Sequence, residues 1–150
     1  MQPDATALKS TLAAAGVPCQ LEESGLGLVA RVAASDTFSA LAALREKDFP
    51  MLVDLLGMDT VDDIEITYHV RSFTRDQEVF IKTNVPYSGE LTSVWHVYAS
   101  ALLPERETAE LFGLTLACHP NPKRLLTTEG VDPLLLKSVP IRTAEEVRNR

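Results

Sequence analysis

Residues 64–85 read IEITYHVRSFTRDQEVFIKTNV. Ile64, Ile66, Tyr68 and Val70 alternate with other residues, and Val79, Ile81, Thr83 and Val85 do so again. A period of two places each set on one face of a strand. The polar Thr74-Arg75-Asp76-Gln77 between the two runs predicts a hairpin. Pro86, which has no N–H to give to a sheet ladder, ends the second strand.

The flanking sequence supplies helices and further strands. Upstream, Pro3 and Asp4 read as a helix start, with Leu8, Leu12 and Ala15 on one face and Gly16 as the stop. Val17–Glu22 reads as a short strand and Ser24-Gly25 as a turn. Leu26, Leu28, Ala30 and Val32 alternate as a half-buried strand. Ser35 or Asp36 can cap a helix that turns Phe38, Leu41 and Leu44 to the core and ends near Lys47–Asp48. Met51–Leu56 is a short apolar run, expected to be a central strand. Downstream, Thr92–Leu103 is apolar nearly all round and reads as a buried helix. Pro104 breaks it and opens a second, short helix ended by Gly113 in the left-handed conformation. Past Cys118, Pro120, Pro122, Pro133 and Pro140 forbid long regular structure. That span reads as an extended arm with two apolar anchors, Leu125-Leu126 and Leu134–Leu136. The expected fold class is α+β, with a body over 1–116 and an arm over 117–150.

Composition bounds the function. A chain of 150 residues with 45% hydrophobic and 23% charged residues is an ordinary globular domain with one core. A net charge of −7 excludes a general nucleic-acid binder. The charge is uneven: residues 59–110 hold four Lys/Arg against ten Asp/Glu, and residues 111–150 hold six against four. A basic tail on an acidic body either meets a different partner surface or is simply solvated. No apolar run approaches the ~20 residues of a membrane span, and no signal peptide is visible. The expected location is cytoplasmic. Two cysteines, Cys19 and Cys118, make neither a CxxC pair nor an iron–sulfur ligand set.

The densest chemistry lies in residues 105–126, ERETAELFGLTLACHPNPKRLL. Charges packed this closely in apolar sequence are usually paired or buried against a partner. On a short helix Arg106, Glu107 and Glu110 are neighbours, so Arg106 can pair with Glu110. Glu105 and Glu107 are then free to accept bonds from backbone N–H groups or from a partner's basic residue. An internal network, partner contact and catalysis are the three readings, with catalysis the weakest.

The order Glu105-Arg106-Glu107, Glu110-Leu111-Phe112, His119, Lys123, Leu125-Leu126 resembles the signature of the 30-kilodalton subunit family of respiratory complex I, the C subunit of NADH-quinone oxidoreductase. The family includes homologous small subunits of energy-converting membrane-bound nickel–iron hydrogenases. Phe49–Leu55 and Ile66–Val70 resemble the family's body, so the likeness covers roughly 45–142. The resemblance implies a mixed sheet flanked by helices and no cofactor bound by this chain. It also implies a hydrogenase-like large subunit and iron–sulfur subunits as partners, and a C-terminal arm running over the large subunit. Iron–sulfur clusters and nickel–iron would reside in those partners, and membrane attachment would be peripheral, through the complex.

The chain departs from the family pattern at three places. Glu110-Leu111-Phe112 stands where an Asp and an aromatic or aliphatic pair are common. Cys118 stands where Gly precedes the His-Pro step. Asp132-Pro133-Leu134-Leu135-Leu136-Lys137 lacks the His and Arg of the family's His-Pro-Leu-Arg-Lys segment. With the stop at Arg150, these departures favour the compact hydrogenase-type branch over complex I.

Other candidates are weaker. Cys118 with His69 or His96 could form a nucleophile and base, but Cys118 and His119 are adjacent and point apart in extended chain. Cys118 is expected to be a small buried hydrophobe. His69, His96, His119 and Cys118 lack tight zinc spacing. Trp95 and Tyr98 read as core, and Gly25-Leu26-Gly27 is no phosphate loop.

Overall fold

The computed structural model describes residues 4–25, 27–140, 145 and 148. The hairpin forms as its alternation requires. β4 (Ile64–Ser72) and β5 (Gln77–Val85) pair antiparallel, with Tyr68 opposite Ile81 and Ile66 opposite Thr83. Ile64, Ile66, Tyr68 and Val70 are fully buried on one face. β5 continues on its other side, in parallel, to β2 (Gly27–Arg31), which pairs antiparallel with β1 (Gln20–Ser24). β3 (Met51–Asp59) pairs with the far edge of β4. The result is a mixed five-stranded sheet in the order β1-β2-β5-β4-β3.

Three helices complete one core. α1 (Ala5–Ala14) starts where the side chain of Asp4 accepts the N–H of Thr6, and it buries Leu8 and Leu12. α2 (Thr37–Glu46) buries Thr37, Ala40, Leu41 and Leu44. α3 (Leu102–Phe112) buries Ala109 and Phe112. Apart from Thr37, these side chains share one cluster with the even-numbered face of β4. α3 packs directly on β3. Gly57 of β3 lies beneath it, and a Cβ there would stand 2.5 Å from a ring carbon of Phe112. A small second sheet joins β6 (Glu90–Thr92) to β7 (Thr115–Ala117) in parallel.

Several expectations shift. Val17 is buried where the chain leaves α1, its N–H bonded to Leu12, and the strand begins only at Gln20. Ala15 is the exposed cap of α1. Leu26 lies outside the described residues. Phe38 is exposed, because a 3-10 turn at Ala34–Asp36 sets the phase of α2 so that Thr37 faces inward instead. Met51–Asp59 is an edge strand, since β4 and β5 fill the centre, and only Leu52, Leu55 and Asp59 of it are buried.

The predicted helix over 92–103 does not exist. Thr92 is claimed by the β6–β7 ladder. Val94, Tyr98 and Ala101 are buried at helix-like spacing through successive tight turns and a 3-10 turn at Ala99–Ala101. Pro104 breaks nothing. It occupies the first turn of α3, where its missing N–H has no intrahelical partner to lose. Gly113 ends α3 at φ 70°, as expected.

Candidate partner-docking site

The signature residues lie on α3 and on the chain that folds back over it. Glu105, in the first turn, is fully buried. Its carboxylate accepts the hydroxyl of Ser93 at 2.5 Å and the N–H of Val94 at 2.6 Å. It therefore ties the irregular 93–98 segment to the start of α3. Burial pushes its pKa up, opposed by these two bonds. His119 lies 3.7 Å from the same carboxylate. Its Nε2 donates to the carbonyl of Leu102 at 2.8 Å, while Nδ1 accepts the N–H of Asn121 at 3.0 Å. Those two bonds fix the tautomer and anchor the start of the arm beneath α3.

The next residue, Arg106, donates to the carbonyls of Lys123 (2.7 Å) and Arg124 (2.8 Å). A turn further, Glu110 accepts the N–H groups of Leu125 (2.7 Å) and Leu126 (3.0 Å) and both the N–H and the hydroxyl of Thr127. Arg106 and Glu110 thus do not pair with each other, as the i, i+4 spacing suggested. Consecutive carbonyls and consecutive amides of the arm outcompete that pairing, because a carboxylate holding several donors gains more than one exposed ion pair supplies. Burial would raise the Glu110 pKa, but the Thr127 hydroxyl and the three amides hold it down at about 2.

Arg124 closes the loop that follows, donating to Thr127 Oγ1 at 2.9 Å and to the carbonyls of Thr128 and Val131. Glu107 and the Lys123 ammonium are exposed and make no hydrogen bond or ion pair with the described residues. Between α3 and the arm lies an open cleft of about 430 Å³, lined by Arg106, Glu110, Lys123 and Arg124 over an apolar floor that includes Leu114 and Leu116.

Sequence reading missed a second clamp. Asp59, at the end of β3, accepts the Tyr87 hydroxyl, the N–H of Val61 at 2.8 Å and, from the arm, the N–H of Lys137 at 2.8 Å. The Asp59 bond pushes the Tyr87 phenol up to about 12. The local turn Asp59-Thr60-Val61 carries a legible signal for the Val61 bond. Nothing local announces the bond to Lys137. The Leu135 N–H also bonds the carbonyl of Leu111 at 3.0 Å. Of the expected anchors, Leu136 packs against the core, whereas Leu126 is 62% exposed.

The catalytic candidates are not brought together. Cys118 is exposed at φ 59°, a left-handed conformation that suits the Gly of the family pattern, so it is not the buried hydrophobe expected. His69 stacks on Phe80 in the middle of the sheet, and His96 lies exposed beside Trp95. Trp95 is only half-buried, whereas Tyr98 is core and donates its hydroxyl to the carbonyl of Phe49 at 2.8 Å. Among the described residues no group of three or more His, Cys, Asp or Glu side chains is placed to hold a metal ion. None of the described helices is long and apolar enough to cross a membrane.

A mixed sheet with its helices on one face, and an arm held by arginine and carboxylate side chains of its last helix, define an α+β body of the kind found in respiratory-complex subunits. The chain belongs to the family described as respiratory-chain NADH dehydrogenase, 30 Kd subunit, which it matches over residues 30–149. Similar proteins include the C subunit of NADH-quinone oxidoreductase from Maricaulis maris, 31% identical over 67% of this chain and 52% of that protein. The corresponding protein of Methylobacterium radiotolerans is 32% identical over 78% of this chain and 58% of its own length. That of Wolbachia sp. subsp. Brugia malayi is 29% identical over 87% of this chain and 73% of its own length. The chain thus spans little more than half the length of the first two. Among solved structures, a trypsin-resistant fragment of Nqo5 aligns with a TM-score of 0.65 and 26% identity over 77% of this chain and 96% of the fragment. A chain of the membrane-bound sulfane sulfur reductase, an archaeal respiratory membrane complex, shares the fold at a TM-score of 0.65 and 22% identity over 76% of this chain and 70% of that one.

Proposed function

We propose that this chain is a non-catalytic assembly subunit of the peripheral, cytoplasmic arm of a membrane redox complex, docking on a hydrogenase-like large subunit. The observation that carries this reading is the use made of the signature charges. Glu105, Arg106 and Glu110 all spend their side-chain bonds on the chain's own backbone, including the two that border the cleft. What they produce is an arm of fixed course, with Glu107, Lys123 and the exposed leucines left for a neighbour. Electron transfer would take place in partner subunits that hold iron–sulfur clusters and, in one host, nickel–iron.

Two hosts fit. The Cys118 and Asp132–Lys137 departures favour an energy-converting nickel–iron hydrogenase. The names of the sequence relatives favour NADH-quinone oxidoreductase. Affinity purification of the tagged chain from its native host in mild detergent, with mass spectrometry of stoichiometric partners, tests the reading. Recovery with a hydrogenase-like large subunit is expected, and nickel-ligand cysteines in that protein decide between the hosts. Recovery of the chain alone, with a turnover lost on Cys118→Ser, sinks it in favour of a small free-standing enzyme.

A further inference from the structure

The open face of the five-stranded sheet is divided into two unlike halves. Register defines this face: Met51, Asp54, Leu56 and Met58 of β3 stand opposite Arg71, His69, Thr67 and Glu65 of β4. Those β4 residues alternate with the buried Ile64, Ile66, Tyr68 and Val70, so all eight point away from the three helices. Over β2, β5 and β4 the face is charged and internally neutralised. Glu65 bridges Arg31 at 2.9 Å and Lys82 at 2.8 Å, and Arg71 bridges Glu78 at 3.0 Å and Asp76 at 2.9 Å.

Over β3 the face is apolar and bare. Leu56, Met58 and the following Val61 are each more than half exposed, and Met51 and Val53 extend the row across the bulge at Leu52/Asp54. Exposed apolar side chains on an edge strand attract association, and a Lys or a Pro is one common way of blunting such an edge. Neither occurs within β3. Of the charges bordering the row, those left without an ion pair among the described residues are of one sign. Asp54 gives one oxygen to the N–H of Leu55 and forms no ion pair, and Asp62 forms neither hydrogen bond nor ion pair with the described residues. The basic residues nearby, Arg31, Arg71 and Lys82, are already paired.

We infer that the outer face of β3 with the turn that follows it, from Met51 to Val61, is the docking surface for the partner subunit, and that it takes an apolar partner patch flanked by Lys or Arg side chains. This rests on the assembly reading above and names its contact surface. The apolar row supplies burial, while Asp54 and Asp62 set register and exclude acidic surfaces. The side chains concerned are exposed, so polar replacement leaves the body's own core untouched.

The test compares the tagged full-length chain with Leu56→Ser/Met58→Ser and with Asp54→Asn/Asp62→Asn, each expressed in the native host. The first variant is expected to lower recovery of the large subunit at least tenfold with an unchanged thermal midpoint. The second is expected to lower it less and to weaken its dependence on salt. Partner recovery at wild-type level in the serine variant overturns this inference alone. If that substitution instead turns a dimer of this chain into a monomer, the patch belongs to a second copy and the inference is equally overturned. A wild-type chain that recovers no partner overturns the assembly reading and this inference together.

Discussion

Replacing Glu110 by Gln should unlatch the arm without unfolding the body. In the folded chain its carboxyl is held at about 2, against an ordinary 4.5. At about 1.36 kcal/mol per pH unit, that difference corresponds to about 3.4 kcal/mol. The group is partly exposed, so screening by water discounts it to about 2 kcal/mol. The sign follows from the direction. A depressed folded pKa contributes stability at pH values above 4.5, and the contribution falls away as pH drops from about 5 toward 2. Gln keeps a carbonyl acceptor but loses the charge and cannot hold all three amides. The arm should therefore open locally, by about 2 kcal/mol, which is about a 30-fold rise in exchange of the Leu125, Leu126 and Thr127 amides at pH 7. Amides in β4 and β5 should be unaffected. Hydrogen exchange read by NMR checks this. Lowering the pH of the wild-type chain toward 3 should raise exchange at the same three amides, relative to the intrinsic rate, while the E110Q chain stays flat across that range. Identical protection in E110Q and wild type would refute the claim that this carboxylate holds the arm.

Other outcomes follow from the same contacts. Glu105→Ala should destabilise the whole body by about 2–4 kcal/mol in chemical denaturation, because it leaves the buried Val94 N–H and Ser93 hydroxyl without their acceptor. Glu105→Gln should recover part of that loss. Asp59→Asn should leave the body folded and speed protease cleavage within residues 128–140, since the Lys137 N–H loses a charged acceptor. The Tyr87 phenol should titrate lower in that variant, which ultraviolet absorbance reports. Removal of residues 121–150 should weaken partner recovery while the sheet still folds, and precipitation of the truncated chain would show that the arm completes the core.

The sheet and its hairpin were legible because period-two alternation is local information: Ile64 to Val70 and Val79 to Val85 point one way regardless of what surrounds them. The left-handed turn at Gly113 was legible for the same reason. The 93–101 segment was not. Its buried Val94, Tyr98 and Ala101 fall at spacings a helix would use. What holds its start out of a helix is β7, further along the chain: Thr92 pairs with Ala117 in the ladder, and the Ser93 N–H goes to the Ala117 carbonyl. The edge placement of β3 was hidden too, because an apolar strand reads alike whether its face is covered by this chain or exposed. The signature residues could be picked out by spacing, but their partners could not. Arg106 and Glu110 bind main-chain atoms, and backbone carbonyls and amides carry no sequence signal. Asp59 was overlooked because its arm contact joins residues far apart in the chain.

Gly57 and Phe112 fill what amounts to one residue's space, divided unequally between a strand and a helix. A methyl group added at Gly57 meets ring carbons of Phe112 at 2.5 and 2.7 Å and a Thr108 methyl at 3.0 Å. Neither position can therefore be read alone for what it tolerates. Ala at position 57 is acceptable only if the ring at 112 shrinks, and the compensating pair should show strong non-additivity in a double-mutant cycle. Because α3 also carries Arg106 and Glu110, a misfit beneath Phe112 would be felt as a displaced arm. A defect in assembly could thus arise from a substitution beneath the helix that touches no partner.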